Sequence, residues 1–477
     1  MIGNNGYSIL KEDLTSGQVS NIRKDLTVKA FVNTSYSADS VPFSIYSESK
    51  RKLYLPRYYG IDKYGLPNSY KINKGDPIST EFAGILKEKQ YPIVDAYTDA
   101  VKDKFIGGGL ISVPCGYGKT VLGLYLACQL KLKTLVVVHK EFLLNQWIER
   151  IEQFMPGAKV GKIQRNVINT ENCDIVIGLL QSISMIDYPE ETFAGFGFTI
   201  YDECHHLGAE VFSRALSKIN TRYTLGLSAT PSRVDGLSKV FQWFLGPMIY
   251  SITKRETEEV KVNVYEYFDS NPKYSKEMLN IQKKPNAALM INNITEFYPR
   301  IHLIIKLITN ALQEGRKILL LSDRKNHLGL IKEKLDILAS SCDKPFTTGY
   351  YLGGMKKEAL EKTEKDDVIL GTFSMASEGF DCREPLDTII LASPKSSIEQ
   401  SVGRILRQDA KDRKIIPLII DIIDNFSLFQ RQGLKRIKFY QKNKYDIETF
   451  NGDMQPINNK YAKKKKPKEF SFLPDSD

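Results

Sequence analysis

The stretch Val113-Pro114-Cys115-Gly116-Tyr117-Gly118-Lys119-Thr120 decides how this chain reads. It follows an apolar run at residues 110–113 that has the character of a strand, and it opens a segment compatible with a helix. A glycine-rich turn in that position offers backbone N–H groups and the positive end of a helix dipole to an anion. Gly116 and Gly118 would let the backbone close around phosphate oxygens, Lys119 would direct a point charge at the β and γ phosphates of ATP, and the Thr120 hydroxyl could hold Mg²⁺. Val113 stands where the common loop pattern has its first glycine. Taken alone, the stretch is also compatible with an ordinary strand-to-helix turn, so its meaning depends on what lies downstream.

The chain has 477 residues, long for a single core, which favours two or three domains. Its 42% hydrophobic and 26% charged residues describe an ordinary globular protein. Residues 451–477 hold six lysines against four acidic residues, so most of the net charge of +11 lies on the rest of the chain. A basic folded surface suits a polyanion such as nucleic acid. The six cysteines form no C-x-x-C pair and only five histidines are present, which argues against a disulfide framework or a structural zinc site. No apolar leader and no run of 18 apolar residues is present, so an intracellular, aqueous setting without a membrane is expected.

Residues 1–76 are rich in Ser, Tyr, Asn and Pro, carry eleven basic against seven acidic residues, and suggest a small β-containing accessory domain. Beyond them short apolar strands alternate with amphipathic stretches, with strands expected at 110–113, 134–138, 174–178, 198–201 and 225–228. A second series is expected at 317–321, 368–371, 388–392 and 415–421. The class is therefore α/β, with two tandem parallel-sheet domains at 77–250 and 251–450 joined through a charged segment at 254–259. The lysine-rich tail, residues 451–477, is expected to be disordered.

Three further clusters carry chemistry. At residues 198–205 an apolar strand delivers Asp202 and Glu203 to its C-terminal end, where α/β sheets bind ligands. Asp202 can hold Mg²⁺ through its water shell, and Glu203 can orient an attacking water or accept its proton. Ser228-Ala229-Thr230-Pro231 ends another strand with two small hydroxyls able to bond Asp202, Glu203 or His205. Gln400-Ser401-Val402-Gly403-Arg404-Ile405-Leu406-Arg407 sets two arginines three apart on one helical face, in reach of a γ phosphate held by the first domain.

In this order the clusters resemble the motifs of superfamily 2 helicases with two RecA-like domains, over roughly residues 80–430, with a DECH box at residues 202–205. Gln90 matches the glutamine that reads adenine in related enzymes. The Pro-Cys-Gly form of the phosphate loop is similar to that of the xeroderma pigmentosum group B branch, where the missing glycine is no defect. The segments around His139 and Leu144-Asn145-Gln146-Trp147, and around Gln181 and Ser182, resemble motifs Ia and Ib, which track a strand through its phosphates. Residues 319–325, the segment from Thr372 to Asp381, and residues 400–407 resemble motifs IV, V and VI. The resemblance implies catalytic roles for Lys119, Asp202, Glu203, Gln400, Arg404 and Arg407, with Arg404 and Arg407 as arginine fingers. It implies ATP contacts for Gln90, residues 113–120, Gly379 and Asp381, a metal held by Thr120 and Asp202, coupling through His205, Ser228 and Thr230, and strand contacts by His139, Gln181, Ser182 and Thr372.

Ser232-Arg233-Val234-Asp235-Gly236 and Phe244-Leu245-Gly246-Pro247 are similar to a branch that includes phage helicases of the UvsW type and poxvirus transcript-release helicases, pointing to a large DNA virus or a phage. Within that resemblance DNA is favoured over RNA as the track, the chain is expected to act as a monomer, and transcription or replication proteins are candidate partners. Residues 46–60 combine Lys50, Arg51, Lys52 and Arg57 with Tyr54, Tyr58 and Tyr59; they suit either a nucleic-acid face or a hairpin with packed tyrosines. An unwinding helicase, a double-strand translocase or remodeller, an RNA helicase and a non-catalytic binding subunit all remain open; the intact motif residues weigh against the last.

Overall fold

The computed structural model describes residues 1–29, 41–114, 116–205, 210–229, 237–252, 259–342, 344–378, 382, 385–406, 408, 413–458 and 461. Cys115, Thr230, the 232–236 segment, Gly379, Asp381, Arg407 and most of the lysine-rich tail lie outside them. The chain divides into two compact units, Met1–Thr253 and Lys254–Asp477.

The first unit carries an eight-stranded sheet. Its strands in chain order are β1 (Gly107–Ser112), β2 (Thr134–Val138), β3 (Val160–Gln164), β4 (Val167–Asn169), β5 (Ile175–Leu179), β6 (Phe198–Tyr201), β7 (Tyr223–Ser228) and β8 (Met248–Ser251). They lie in the order β4-β3-β5-β2-β6-β7-β1-β8, and every pairing is parallel except the β3–β4 hairpin. A strand covered by helices on both faces reads as a continuous apolar run, and Thr-Leu-Val-Val-Val of β2 is buried throughout. The register sets Ser112 beside Ser228 and Tyr201 beside both Gly226 and Val137. The loops that leave β2, β6, β7 and β1 therefore emerge side by side on one edge.

The N-terminal residues build a separate five-stranded sheet in the order Ser47–Glu48, Lys52–Leu55, Gly6–Leu10, Ile2–Gly3, Tyr70–Lys71. Its core of Ile2, Ile22, Leu53 and Leu55 continues into Ile106, Leu237 and Val240, which flank the large sheet. Residues 1–76 thus belong to the same compact unit as the first large sheet. Arg57 is 2% exposed, and its guanidinium donates to the carbonyls of Thr221 and Arg222 at 2.7 and 3.5 Å. Tyr59 packs edge-on against Trp243 and donates its hydroxyl to Asp25. Residues 47–55 form an antiparallel hairpin and Tyr58 and Tyr59 lie on the helix Arg57–Tyr64, so Arg57 is unavailable to a phosphate while Lys50 and Arg51 stay exposed.

The second unit carries a wholly parallel seven-stranded sheet: β9 (Lys261–Tyr267), β10 (Ile318–Ser322), β11 (Thr348–Tyr351), β12 (Val368–Thr372), β13 (Thr388–Leu391), β14 (Leu418–Asp424) and β15 (Asp446–Asn451), in the order β11-β12-β10-β13-β14-β9-β15. The β14 sequence Leu-Ile-Ile-Asp-Ile-Ile-Asp is buried along its length, its two carboxylates included. Asp424 accepts from Arg300 Nε and Nη2 at 2.7 and 2.9 Å and from the Tyr274 hydroxyl at 2.7 Å. Asp421 accepts from Arg436 and from the Tyr440 hydroxyl. Bidentate pairing and an added hydroxyl meet the hydrogen-bonding demand that burial creates. Among the described residues no helix is long and apolar enough to cross a membrane.

His327 is buried beside Ser322, whose hydroxyl lies 3.0 Å from Nδ1. Burial, with the charge of Arg300 adding to it, pushes the imidazole down from 6.5 to about 3. The unfolded chain therefore takes up a proton that the folded chain refuses, and stability falls as pH falls from about 6.5 toward 3. His327→Gln is expected to flatten that slope by up to about 1.4 kcal/mol per pH unit, measured by urea denaturation at several pH values in the window. Equal slopes for the two proteins would refute the assignment.

Candidate active site at the sheet edge

The phosphate loop leaves β1 as its register with β7 ends, where the Val113 amide donates to the Ser228 carbonyl at 3.1 Å. Gly116 and Gly118 hold φ of +91° and +76°, a left-handed backbone that suits glycine. Gly118 caps the helix Lys119–Leu130, so Lys119 and Thr120 occupy its first turn. Gln90 is buried beneath the loop, donating Nε2–H to the Tyr117 carbonyl at 2.9 Å while its Oε1 accepts from the Lys87 amide. The structure thus shows Gln90 bracing the loop; its expected adenine contact belongs to the proposal below. Lys89 lies 4.9 Å above the Tyr117 ring and packs the same corner.

Asp202 and Glu203 follow β6. The Asp202 amide donates to the Val137 carbonyl, and Oδ1 of its own side chain accepts the Glu203 amide at 3.0 Å. Glu203 has φ of +46°, uncommon for a side-chain-bearing residue, which turns its carboxylate toward the loop. Lys119 Nζ reaches Glu203 Oε1 at 2.5 Å. His205 Nδ1 lies 2.9 Å from Ser228 Oγ and 3.4 Å from Glu203 Oε2. Loop, acidic pair and β7 hydroxyl thus meet in one cluster.

The two carboxyls diverge. Burial pushes Asp202 up and the Glu203 charge adds to this, against the pull of Lys119, the Trp147 indole and His139. Burial also works to raise Glu203, but Lys119 and His205 outweigh it and hold that carboxyl low and ionised. Environments that separate two neighbouring carboxyls in this way assign them different tasks. Glu203 Oε2 is buried beside His205 Nδ1, and the carboxylate also takes a backbone hydrogen bond from Ala229. The described residues include no group of three or more His, Cys, Asp or Glu that could hold a metal. A Mg²⁺ ion held by one carboxylate, a hydroxyl, waters and phosphate oxygens fits such a set, with Asp202 and Thr120 as the protein's share.

The remaining expected residues are placed less uniformly. His139 leaves the end of β2 and acts electrostatically on Asp202. Gln181 is exposed on the short helix Leu180–Met185. Ser182 is buried, and its hydroxyl accepts the Arg165 amide at 2.9 Å, so it braces the β3–β4 hairpin. In the second unit, Thr372 ends β12 with its hydroxyl 3.1 Å from that of Ser374. Gln400 lies half-buried in the helix Glu399–Val402, and Arg404 Nε donates to the Ala376 carbonyl at 2.5 Å. Trp147 was grouped with strand-tracking residues, yet its indole N–H donates to Asp202 Oδ2 at 2.9 Å. Its sequence neighbourhood carried no sign of that contact, which joins residues 55 apart.

Comparison with known proteins agrees with this geometry. The family described as "Type III restriction enzyme, res subunit" matches residues 84–233. A protein of Acanthamoeba polyphaga mimivirus named "Putative ATP-dependent RNA helicase" is 36% identical over 460 residues, covering 93% of this chain and 86% of that protein. A helicase-named protein of Invertebrate iridescent virus 6 is 28% identical over 388 residues, covering 78% and 84% of the two chains. A solved fragment of an HsdR subunit of a type I restriction enzyme from Vibrio vulnificus YJ016 shares the fold, with a TM-score of 0.53 at 16% identity over 80% of this chain and 71% of that one.

If Lys119 leaves Glu203 to meet a phosphate, Glu203→Gln is expected to bind nucleotide about threefold more tightly, the weight of a modest ion pair. The same variant should hydrolyse almost none. Titration with a fluorescent nucleotide and a phosphate-release assay measure the two effects; weaker binding in the variant would contradict the exchange.

Proposed function

We propose that this chain, which belongs to the superfamily 2 helicases of large DNA viruses, uses ATP hydrolysis at the edge of its first sheet to move along and unwind nucleic acid, with DNA as the track. The observation that carries the reading is the convergence of Lys119, Asp202, Glu203, His205 and Ser228 on the phosphate loop.

ATP would seat its phosphates against the Gly116 and Gly118 backbone, with Gln90 turning toward adenine. Lys119 would then exchange its carboxylate partner for phosphate oxygens. Asp202 and Thr120 would hold Mg²⁺, which would supply neutralising charge near the phosphates. Once Lys119 departs, Glu203 is an ionised base able to orient water and take its proton. His205 senses the change at Glu203 and passes it to Ser228 at the end of β7. Arg404 and Arg407, with Gln400 on the same motif, would act on the charge of the transferring phosphate, and Gly379 and Asp381 would contact ATP. Arg404 would trade the Ala376 carbonyl for developing phosphate charge.

His139, Gln181 and Thr372 remain candidate strand contacts, and the basic balance of the chain suits a phosphate backbone. Residues 1–76 would serve as an accessory piece of the motor and the lysine-rich tail as a further polyanion contact. The motor would act as a monomer inside an infected cell, in transcription, recombination or repair. RNA is the second reading for the track, favoured by the name of the mimivirus relative.

ATPase stimulation across single-stranded, duplex and branched DNA and RNA tests this reading. DNA should stimulate most, and binding should weaken roughly tenfold or more between 50 and 200 mM salt, the loss expected for two to three neutralised phosphates. Stronger stimulation by RNA would transfer the track to RNA. Arg404→Ala should lower turnover by about 10³ with nucleotide binding retained, since an arginine finger acts on transition-state charge; turnover within a few-fold of wild type would remove that role.

A further inference from the structure

Trp147 lies on the helix Glu141–Phe154 and is 1% exposed, among the largest fully buried side chains of the chain. Its ring is pressed against the phosphate-loop helix at Gly123, where an added Cβ would come within 3.1 Å of the indole Cη2. A ring packed in this way has little rotational freedom, so the direction of its single N–H is fixed by the core. That N–H meets Asp202 Oδ2 at 2.9 Å, and Asp202 Oδ1 accepts the Glu203 amide at 3.0 Å. Each carboxylate oxygen is held by one donor of fixed direction and keeps a second acceptor direction.

We propose that Trp147 is a positioning residue for magnesium: its indole N–H locks the Asp202 carboxylate in the orientation that receives the ion's water shell. The inference rests on the ATPase reading given above and adds a residue to it. Groups that orient a metal's carboxylate ligand commonly affect affinity by about 10- to 100-fold when removed. The same helix begins immediately after His139 and Lys140, so a strand bound there would press on the element that holds Asp202.

The chain has only two tryptophans, Trp147 and Trp243, so a Trp243→Phe background leaves Trp147 as the single indole reporter. In that background, adding Mg²⁺ with a non-hydrolysable ATP analogue should change Trp147 emission, and Asp202→Asn should abolish the change. Trp147→Phe keeps most of the ring volume and removes the N–H. It should raise the Mg²⁺ concentration for half-maximal ATPase about tenfold, close to 1.4 kcal/mol, with affinity for metal-free nucleotide unchanged. In an Asp202→Asn background the same substitution should have no further effect on Mg²⁺ dependence of nucleotide binding. Unaltered Mg²⁺ dependence in a folded Trp147→Phe protein, or emission that ignores bound Mg²⁺ and nucleotide, overturns the proposal while leaving the ATPase reading standing. A wild-type chain that binds no magnesium nucleotide overturns both.

Discussion

The contact between Lys119 and Glu203 is the point on which the first unit's design converges. A parallel sheet sends the loop after every strand to one edge, and here β1, β7, β6 and β2 are consecutive neighbours. The loop cation and the acidic pair therefore meet although 84 residues separate them in the chain. Opposite charges held this close in a half-dry setting attract strongly, and the left-handed backbone at Glu203 is sustained by that surrounding framework. Within the cluster the loop cation and the Glu203 carboxylate neutralise one another.

The second unit solves a different problem with related chemistry. Its β14 strand is apolar enough to be buried on both faces yet carries Asp421 and Asp424, and each is met by an arginine from a helix packed on the sheet. A buried pair of this kind gives little net stability compared with apolar residues, but separating it strands a charge and costs about 3–5 kcal/mol. The pairs therefore act mainly on geometry. Arg300 also donates to the Ala392 carbonyl, and Arg436 to that of Lys395, both just past the end of β13. Lys395 in turn meets Asp323 after β10. The backbone at this sheet edge is consequently tied to helices that the apolar contacts alone would leave free to slide.

Much of the fold was legible because buried parallel strands announce themselves: residues 134–138 and 198–201 appear in the structure with the limits expected from sequence. The expected start of β1 at residue 110 was late by three glycines, which give no apolar signal; Gly107 makes room for Val101, and Gly108 and Gly109 for the connection into β8. Strands β3, β4, β8, β9, β11 and β15 were not anticipated; Lys162, Glu266 and Glu448 interrupt the apolar pattern of β3, β9 and β15. At the site, spacing and residue type pointed to Lys119, Asp202 and Glu203, which the structure brings together. The same logic did not foresee that the Ser182 hydroxyl accepts the Arg165 amide. It also had no access to the Trp147 contact, which depends on how a helix is rotated about its axis, a property of the packed core.

The buried guanidinium of Arg57 has an evolutionary implication. It reaches from the first turn of the helix Arg57–Tyr64 to the Thr221 and Arg222 carbonyls at the foot of β7, the strand whose far end carries Ser228. A front segment anchored to a motor strand in this manner is poorly suited to exchange by recombination, because a foreign replacement would leave two carbonyls and an apolar seam without their counterpart. Divergence among such motors should therefore show the leading 76 residues drifting in step with the turn before β7, as one inherited piece.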